Sequence, residues 1–219
     1  LSNVKEISRR AFYRCVSLKS INIPNVITIG ERAFQGCAFD TIDLPKVETI
    51  GISAFLSCKN LRSINMPKVR IIESAALYSC AFTSLNLPAT LDSIGGYALS
   101  HNSGLKYITI DEANENFVVK DNVLYDKDFT KLIQYPVGQE AKLISVLNTV
   151  TTIANSAFAS CSFVERVDLP NVKIIEASAF MDCFSLRSVN MPKVTTIGPT
   201  AFYDCLWIDA VDIPNVTIL

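Results

Sequence analysis

Leu44-Pro45-Lys46-Val47-Glu48-Thr49-Ile50-Gly51-Ile52-Ser53-Ala54-Phe55-Leu56-Ser57-Cys58 decides the architecture of this chain, because its signature returns along the sequence. Ile23-Pro24-Asn25-Val26, Ile29-Gly30, Ala33-Phe34 and Cys37 repeat it at the same offsets. Met191-Pro192-Lys193-Val194, Ile197-Gly198, Ala201-Phe202 and Cys205 do so again. The apolar residue that closes each copy's first strand falls at Ile23, Leu44, Met66, Leu87, Ile110, Val146, Leu169, Met191 and Ile213, in steps of 21, 22, 21, 23, 36, 23, 22 and 22 residues. A period near 22 means a solenoid, in which no unit closes its own core and each stacks on its neighbours.

Each unit reads as a short sequence of legs. Segments such as Leu18-Lys19-Ser20-Ile21-Asn22-Ile23 alternate over their last four residues, the pattern of a half-buried strand. Proline ends that strand because it cannot donate to a ladder. Val-x-x-Ile-Gly then gives a second extended leg, with glycine expected to supply a positive φ at the corner. Ala-Phe-x-x-Cys reads as a single helical turn. The expected fold is α/β, with about nine coils, short parallel strands on one face and single helical turns elsewhere, over one domain spanning 1–219.

If coils pair as parallel strands, equivalent residues stack about 4.8 Å apart, so columns carry the meaning. Phe12, Phe34, Phe55, Leu77, Leu99, Phe158, Phe180 and Phe202 form one apolar column, expected to be a core spine. Cys15, Cys37, Cys58, Cys80, Cys161, Cys183 and Cys205 form another, with Asn102 in the missing slot. Parallel stacked side chains do not converge as a disulfide requires, so the cysteines read as small buried hydrophobes. Metal binding is the alternative, but there is no CxxC pair and only one histidine, His101.

The outward face of the first strand carries a polar column: Asn22, Asp43, Asn65, Asn86, Thr109, Asp168, Asn190 and Asp212. Three positions earlier the charge mostly alternates, through Lys19, Asp40 and Arg62, then Glu165, Arg187 and Asp209. Opposite charges on neighbouring strands would pin the stacking register. The same broad face could also take a protein or a glycan, as solenoid surfaces do.

Two departures break the regularity. In the long step after Ile110, Val123-Leu124-Tyr125, the polar stretch 126–130 and Lys131-Leu132-Ile133-Gln134-Tyr135 read as a hairpin protruding at about 114–138. Insertions of this kind often map to a binding face, with Phe117, Tyr125 and Tyr135 as aromatic contacts alongside Tyr107. Asp126-x-Asp128 only superficially resembles a calcium loop, lacking its glycine and terminal glutamate. In the C-terminal coils Phe163, Phe184, Leu206 and Trp207 stand where earlier coils carry Ser17, Lys59, Asn60 and Ser103. They suggest either a partner patch or surface that further repeats would cover.

Composition bounds the function. The 219 residues are 49% hydrophobic with a formal net charge of −1, which gives no nucleic-acid footprint. No apolar run reaches the length of a membrane helix. Leu1 enters the repeat in phase and Ile213 begins an incomplete one, so the array is expected to belong to a longer protein. With one histidine and no phosphate-binding glycine loop, no Ser-His-acid or Cys-His set can be assembled. No catalytic, cofactor or metal residues are therefore assigned.

The recurring strand-Pro-x-Val-x-x-Ile-Gly-x-x-Ala-Phe-x-x-Cys unit resembles the BspA-like class of leucine-rich repeats, over essentially the whole chain. The long unit, Asn116-Phe117 through Asp121-Asn122-Val123-Leu124-Tyr125 to Tyr135-Pro136, is similar to that family's Asp-Gly-Val-Leu-Tyr hairpin, with Asn122 and Phe129 departing from glycine. The resemblance implies a leucine-rich-repeat solenoid at the cell surface or secreted. It also implies a non-enzymatic adhesion or recognition module for host matrix protein or a partner-cell ligand. The alternative is a structural spacer or intracellular interaction scaffold, which seven reduced cysteines would suit.

Overall fold

The computed structural model describes residues 3–209, 213 and 215–218. It divides into two compact units, Leu1–Phe117 and Val118–Leu219. In the first, the two-residue strands Glu6–Ile7, Thr28–Ile29, Thr49–Ile50, Ile71–Ile72 and Ser93–Ile94 pair in parallel in that order. These are the second legs of successive coils, and Ile29, Ile50 and Ile72 point inward with no exposure. On another side Thr41–Asp43 pairs in parallel with Ser63–Asn65, and Ser84–Leu87 with Tyr107–Ile110. Register is strict: Ile42 faces Ile64, and Asp43 faces Asn65. The expected parallel coils are therefore present.

No helix forms among the described residues, which corrects the α/β reading. The Ala-Phe-x-x-Cys corner is a run of tight turns. Ala11 N–H donates to Ser8, Tyr13 to Arg10 and Cys15 to Phe12, each three residues back. The intervening donors leave the coil: Arg10 N–H goes to Glu31, Phe12 to Ala33 and Arg14 to Gln35. A helix would keep every donor within its own segment, whereas here every second one joins the next coil. Arg10 and Arg14 both hold φ of 57°, at the third position of their turns, where a type II turn requires a left-handed residue. Ser53 with Ser57 and Ala75 with Ser79 repeat the geometry.

The corner glycine also plays a different part from the one expected. Gly51 does not adopt the left-handed region; a Cβ there would lie 2.7 Å from the Ile29 carbonyl oxygen of the preceding coil. Its role is close approach between backbones. Among the glycines the left-handed conformation falls instead on Gly36, with φ of 72°.

In the second unit the long step is absorbed into a sheet. Phe117–Lys120, Val123–Asp126 and Lys131–Gln134 lie side by side, followed in parallel by Thr152–Ile153, Ile174–Ile175 and Thr196–Ile197. Asp121 and Asn122 both have positive φ, 52° and 66°, as a two-residue type I′ hairpin turn demands. The second turn is closed by Asp126, whose carboxylate accepts the N–H groups of Thr130 and Lys131, each at 2.7 Å. The hairpin at 114–138 does not protrude: Leu124, Tyr125 and Leu132 are buried. A further parallel sheet joins Leu143–Ser145, Arg166–Asp168 and Ser188–Asn190.

The columns form as rings and thiols in register. In the first unit Phe12, Phe34 and Phe55 stack with centroids 5.4 Å apart, and Phe39 packs edge-on against Phe34. In the second, Tyr135, Phe158, Phe180 and Phe202 stack at 5.1, 4.8 and 5.2 Å. Phe34, Phe55, Phe158 and Phe180 are fully buried core elements that also gain offset stacking, while Phe12 and Phe202 at the ends of the stacks are half-buried. All seven cysteines are free thiols. Buried Asn102 fills the vacant slot, donating to the Leu77 and Leu99 carbonyls and accepting from the Cys80 N–H.

Candidate recognition face

The outward side of the longer strands carries the polar column, and coil stacking turns it into hydrogen-bonded pairs. Asn65 Nδ2 donates to Asp43 Oδ1 at 2.6 Å, Thr109 to Asn86 at 3.0 Å, and Asn190 to Asp168 at 2.5 Å. An amide beside a carboxylate suits this position, since it offers donors to an ionised acceptor. The charge alternation is also present. Arg62 lies 3.6 Å from Asp40, and Lys142 lies 2.8 Å from Glu165, whose carboxyl that hydrogen bond holds below its ordinary range. The Lys142 contact was not among the sequence expectations.

Each unit has an open groove on this face. In the first, a groove of about 210 Å³ runs between Asn65, Met66, Asn86, Pro88 and Asp111. In the second, one of about 320 Å³ lies among Leu143, Ile144, Arg166, Asp168 and Asn190. Within each unit, then, stacking brings together polar residues far apart in sequence and sets apolar side chains beside them. Leu143 and Tyr107 are the most exposed apolar residues here. The sequence held the signal for both. By strand register, their column otherwise carries Thr41, Ser63, Ser84, Arg166 and Ser188.

The remaining candidates fall elsewhere. Asn22 is exposed, and Asp212 lies outside the described residues. Phe117, Tyr125 and Tyr135 are buried, so the contacts expected of them with a partner are made within the protein; Tyr135 is only 5% exposed and stacks on Phe158. Burial also raises the Tyr125 phenol to about 12, with Asp121 adding to it. Phe163, Phe184, Leu206 and Trp207 are all strongly exposed, at the corner between the cysteine column and the strand. His101 packs its ring against Tyr78 at 4.6 Å. Among the described residues no group of three or more His, Cys, Asp or Glu side chains could hold a metal ion. No helix there is long and apolar enough to cross a membrane.

The BspA-type leucine-rich-repeat region matches the chain in six copies, over residues 1–106, 27–135 and 138–219. The chain belongs to that family. Among solved structures it is similar to a leucine-rich cell surface protein of Faecalibacterium prausnitzii, with 32% identity and a TM-score of 0.86 over 99% of this chain and 59% of that one. The pneumococcal vaccine antigen PcpA is similar at 25% identity and a TM-score of 0.85, over 99% of this chain and 56% of that one. A Bacteroides ovatus leucine-rich-repeat protein, at 24% identity, shares the fold with a TM-score of 0.64 over 97% of this chain and 59% of its own. The chain therefore spans little more than half the length of these relatives. Comparison with curated proteins finds none that matches.

Proposed function

We propose that this chain is a non-enzymatic recognition module of a cell-surface protein, binding a protein partner through the strand face. The observation that carries this reading is the groove in which ladder residues Asp168 and Asn190 lie beside the exposed Leu143, together with the one in which Asn65 and Asn86 lie beside the exposed Pro67. Protein interfaces combine apolar contact with a polar rim in this way. Description of the Faecalibacterium relative as a cell surface protein supports the location. Host matrix protein is the partner class the family resemblance favours. The cysteines do not oppose a surface location, because five of the seven thiols are buried, and burial protects a thiol from oxidation.

Binding to immobilised fibronectin and fibrinogen tests this, comparing the wild type with an Asn65→Lys/Asn190→Lys variant. Each lysine would still face Asp43 or Asp168, so the fold is retained. The proposal expects binding by the wild type and at least about a tenfold loss in the variant, the equivalent of one displaced contact of about 1.4 kcal/mol. Equal binding by both places recognition elsewhere, and no binding to either protein favours a spacer.

A further inference from the structure

We propose that the first coils of the Leu1–Phe117 unit carry a second binding surface, on the turn side, that takes a sulfated polysaccharide chain. This proposal does not rest on the strand-face reading. Residues 3–20 contain Lys5, Arg9, Arg10, Arg14 and Lys19 against a single acid, Glu6, in a chain whose formal net charge is −1. The turn geometry gathers the arginines. Arg10 and Arg14 occupy the two left-handed positions of one corner, and their guanidinium carbons lie 5.8 and 5.7 Å from the centroid of the Tyr13 ring between them. Arg14 runs its stem over the next coil at Gly36, where a Cβ would come within 3.6 Å of it. Arg9 and Arg32 flank the group and share Glu31, at 3.2 and 3.5 Å.

Glu31 is therefore occupied, and neither Arg10 nor Arg14 makes an ion pair among the described residues. Two guanidiniums held on one ring, without an acid between them, form a pre-organised anion receptor; their planar forks match oxyanions and lose little freedom on binding. The fold does not call for arginine here, since Ser53 and Ser57 take the same two positions at φ of 55° and 59°. The chemistry also narrows the partner. The Tyr13 ring is engaged by the patch's own cations, which leaves no stacking platform of the kind single-stranded nucleic acid uses. Arg10, Tyr13 and Arg14 are all exposed, so the guanidinium forks stand open to a long chain passing over the corner. A flexible polymer carrying closely spaced sulfates needs no stacking platform, only oxyanions that reach the two forks.

The test is a titration of the 219-residue chain with fluorescein-labelled heparin at about 50 and about 200 mM salt, the range over which polyanion binding weakens most visibly. Chemically desulfated heparin, poly-glutamate and duplex DNA are run in parallel. The expected result is heparin binding that falls at least about tenfold across that range, with no binding of the other three. Arg10→Ser/Arg14→Ser should weaken heparin binding about tenfold or more, while Lys193→Ser in the other unit leaves it unchanged. Arg10→Lys/Arg14→Lys, which keeps charge and helical-free turn geometry but loses the fork, should fall between the wild type and the serine variant. Absence of heparin binding at low salt overturns the proposal, as does equal affinity for desulfated heparin, poly-glutamate or DNA. A folded serine variant that binds like the wild type also overturns it.

Discussion

The thiol of Cys58 donates a hydrogen bond to the carbonyl oxygen of Phe34 in the preceding coil, at 3.1 Å across 24 residues of sequence. Cys37 bonds Phe12 in the same way, Cys80 bonds Phe55, Cys183 bonds Phe158 and Cys205 bonds Phe180. The two interior columns are thus one device: the ring fills the coil, and the sulfur ties its backbone to the next. Cysteine suits the slot because it is small, apolar and still a weak donor.

Asn102 performs that task with stronger groups, and its loss should cost more than the loss of a thiol. Cys58→Ala removes a weak donor and little volume, for about 1–2 kcal/mol. Asn102→Ala strands the Cys80 N–H and two carbonyls at a buried site, for about 2–4 kcal/mol. Denaturant melts of both variants check the order. A smaller loss for Asn102→Ala would mean that the buried groups find other partners.

Thiol accessibility should split the column. Cys15 is exposed and Cys205 half-buried, whereas Cys37, Cys58, Cys80, Cys161 and Cys183 are buried. An Ellman titration of the native chain should therefore read two thiols promptly and seven after denaturation. Prompt reaction of all seven would remove the column from the core.

Stability should fall in alkali. Burial raises the Cys37 thiol from 9.0 to about 11 and the Cys58 thiol to about 12. The folded state then holds these protons where the unfolded chain has released them. The contribution is complete below pH 9 and is lost as pH rises through the folded values. The expected melting temperature is flat from neutral pH to about 9 and declines from there towards 11–12. Replacing Cys37 and Cys58 together by Val should flatten that decline; an unchanged slope would assign it to other groups.

Two glycines should respond differently to alanine. At Gly51 the new Cβ would meet backbone at 2.7–3.0 Å on the preceding coil, which no rotamer can relieve. A loss of about 2 kcal/mol or more is expected, as for overpacking. At Gly36 the nearest atoms are 3.6 Å away and only the left-handed φ opposes alanine, for about 1 kcal/mol. Thermal melts showing Gly36→Ala as the more damaging change would contradict the close-approach role of Gly51.

Much of this was legible in the sequence, because a stacked solenoid converts period directly into neighbourhood. The phenylalanine and cysteine columns, the Asp43–Asn65 and Asp168–Asn190 pairs and the Asp40–Arg62 charge pair all follow from spacing alone. Tyr135 could have been placed in the core by the same rule, since it precedes Phe158 by 23 residues. The corner was not legible. Ala-Phe-x-x-Cys has helical spacing, and only the neighbouring coil shows that its alternate donors point outward to another backbone. Arg10 and Arg14 were hidden for the same reason: their meeting on Tyr13 depends on two left-handed turns that local sequence does not announce.

The claim that recognition belongs to the strand face is tested most directly by amide hydrogen exchange on the chain, free and bound to fibronectin or fibrinogen. Slowed exchange on binding is predicted at 63–65, 84–87 and 107–110 in the first unit and at 143–145, 166–168 and 188–190 in the second. Protection confined to the 114–138 segment, or to the turn corners, would contradict it.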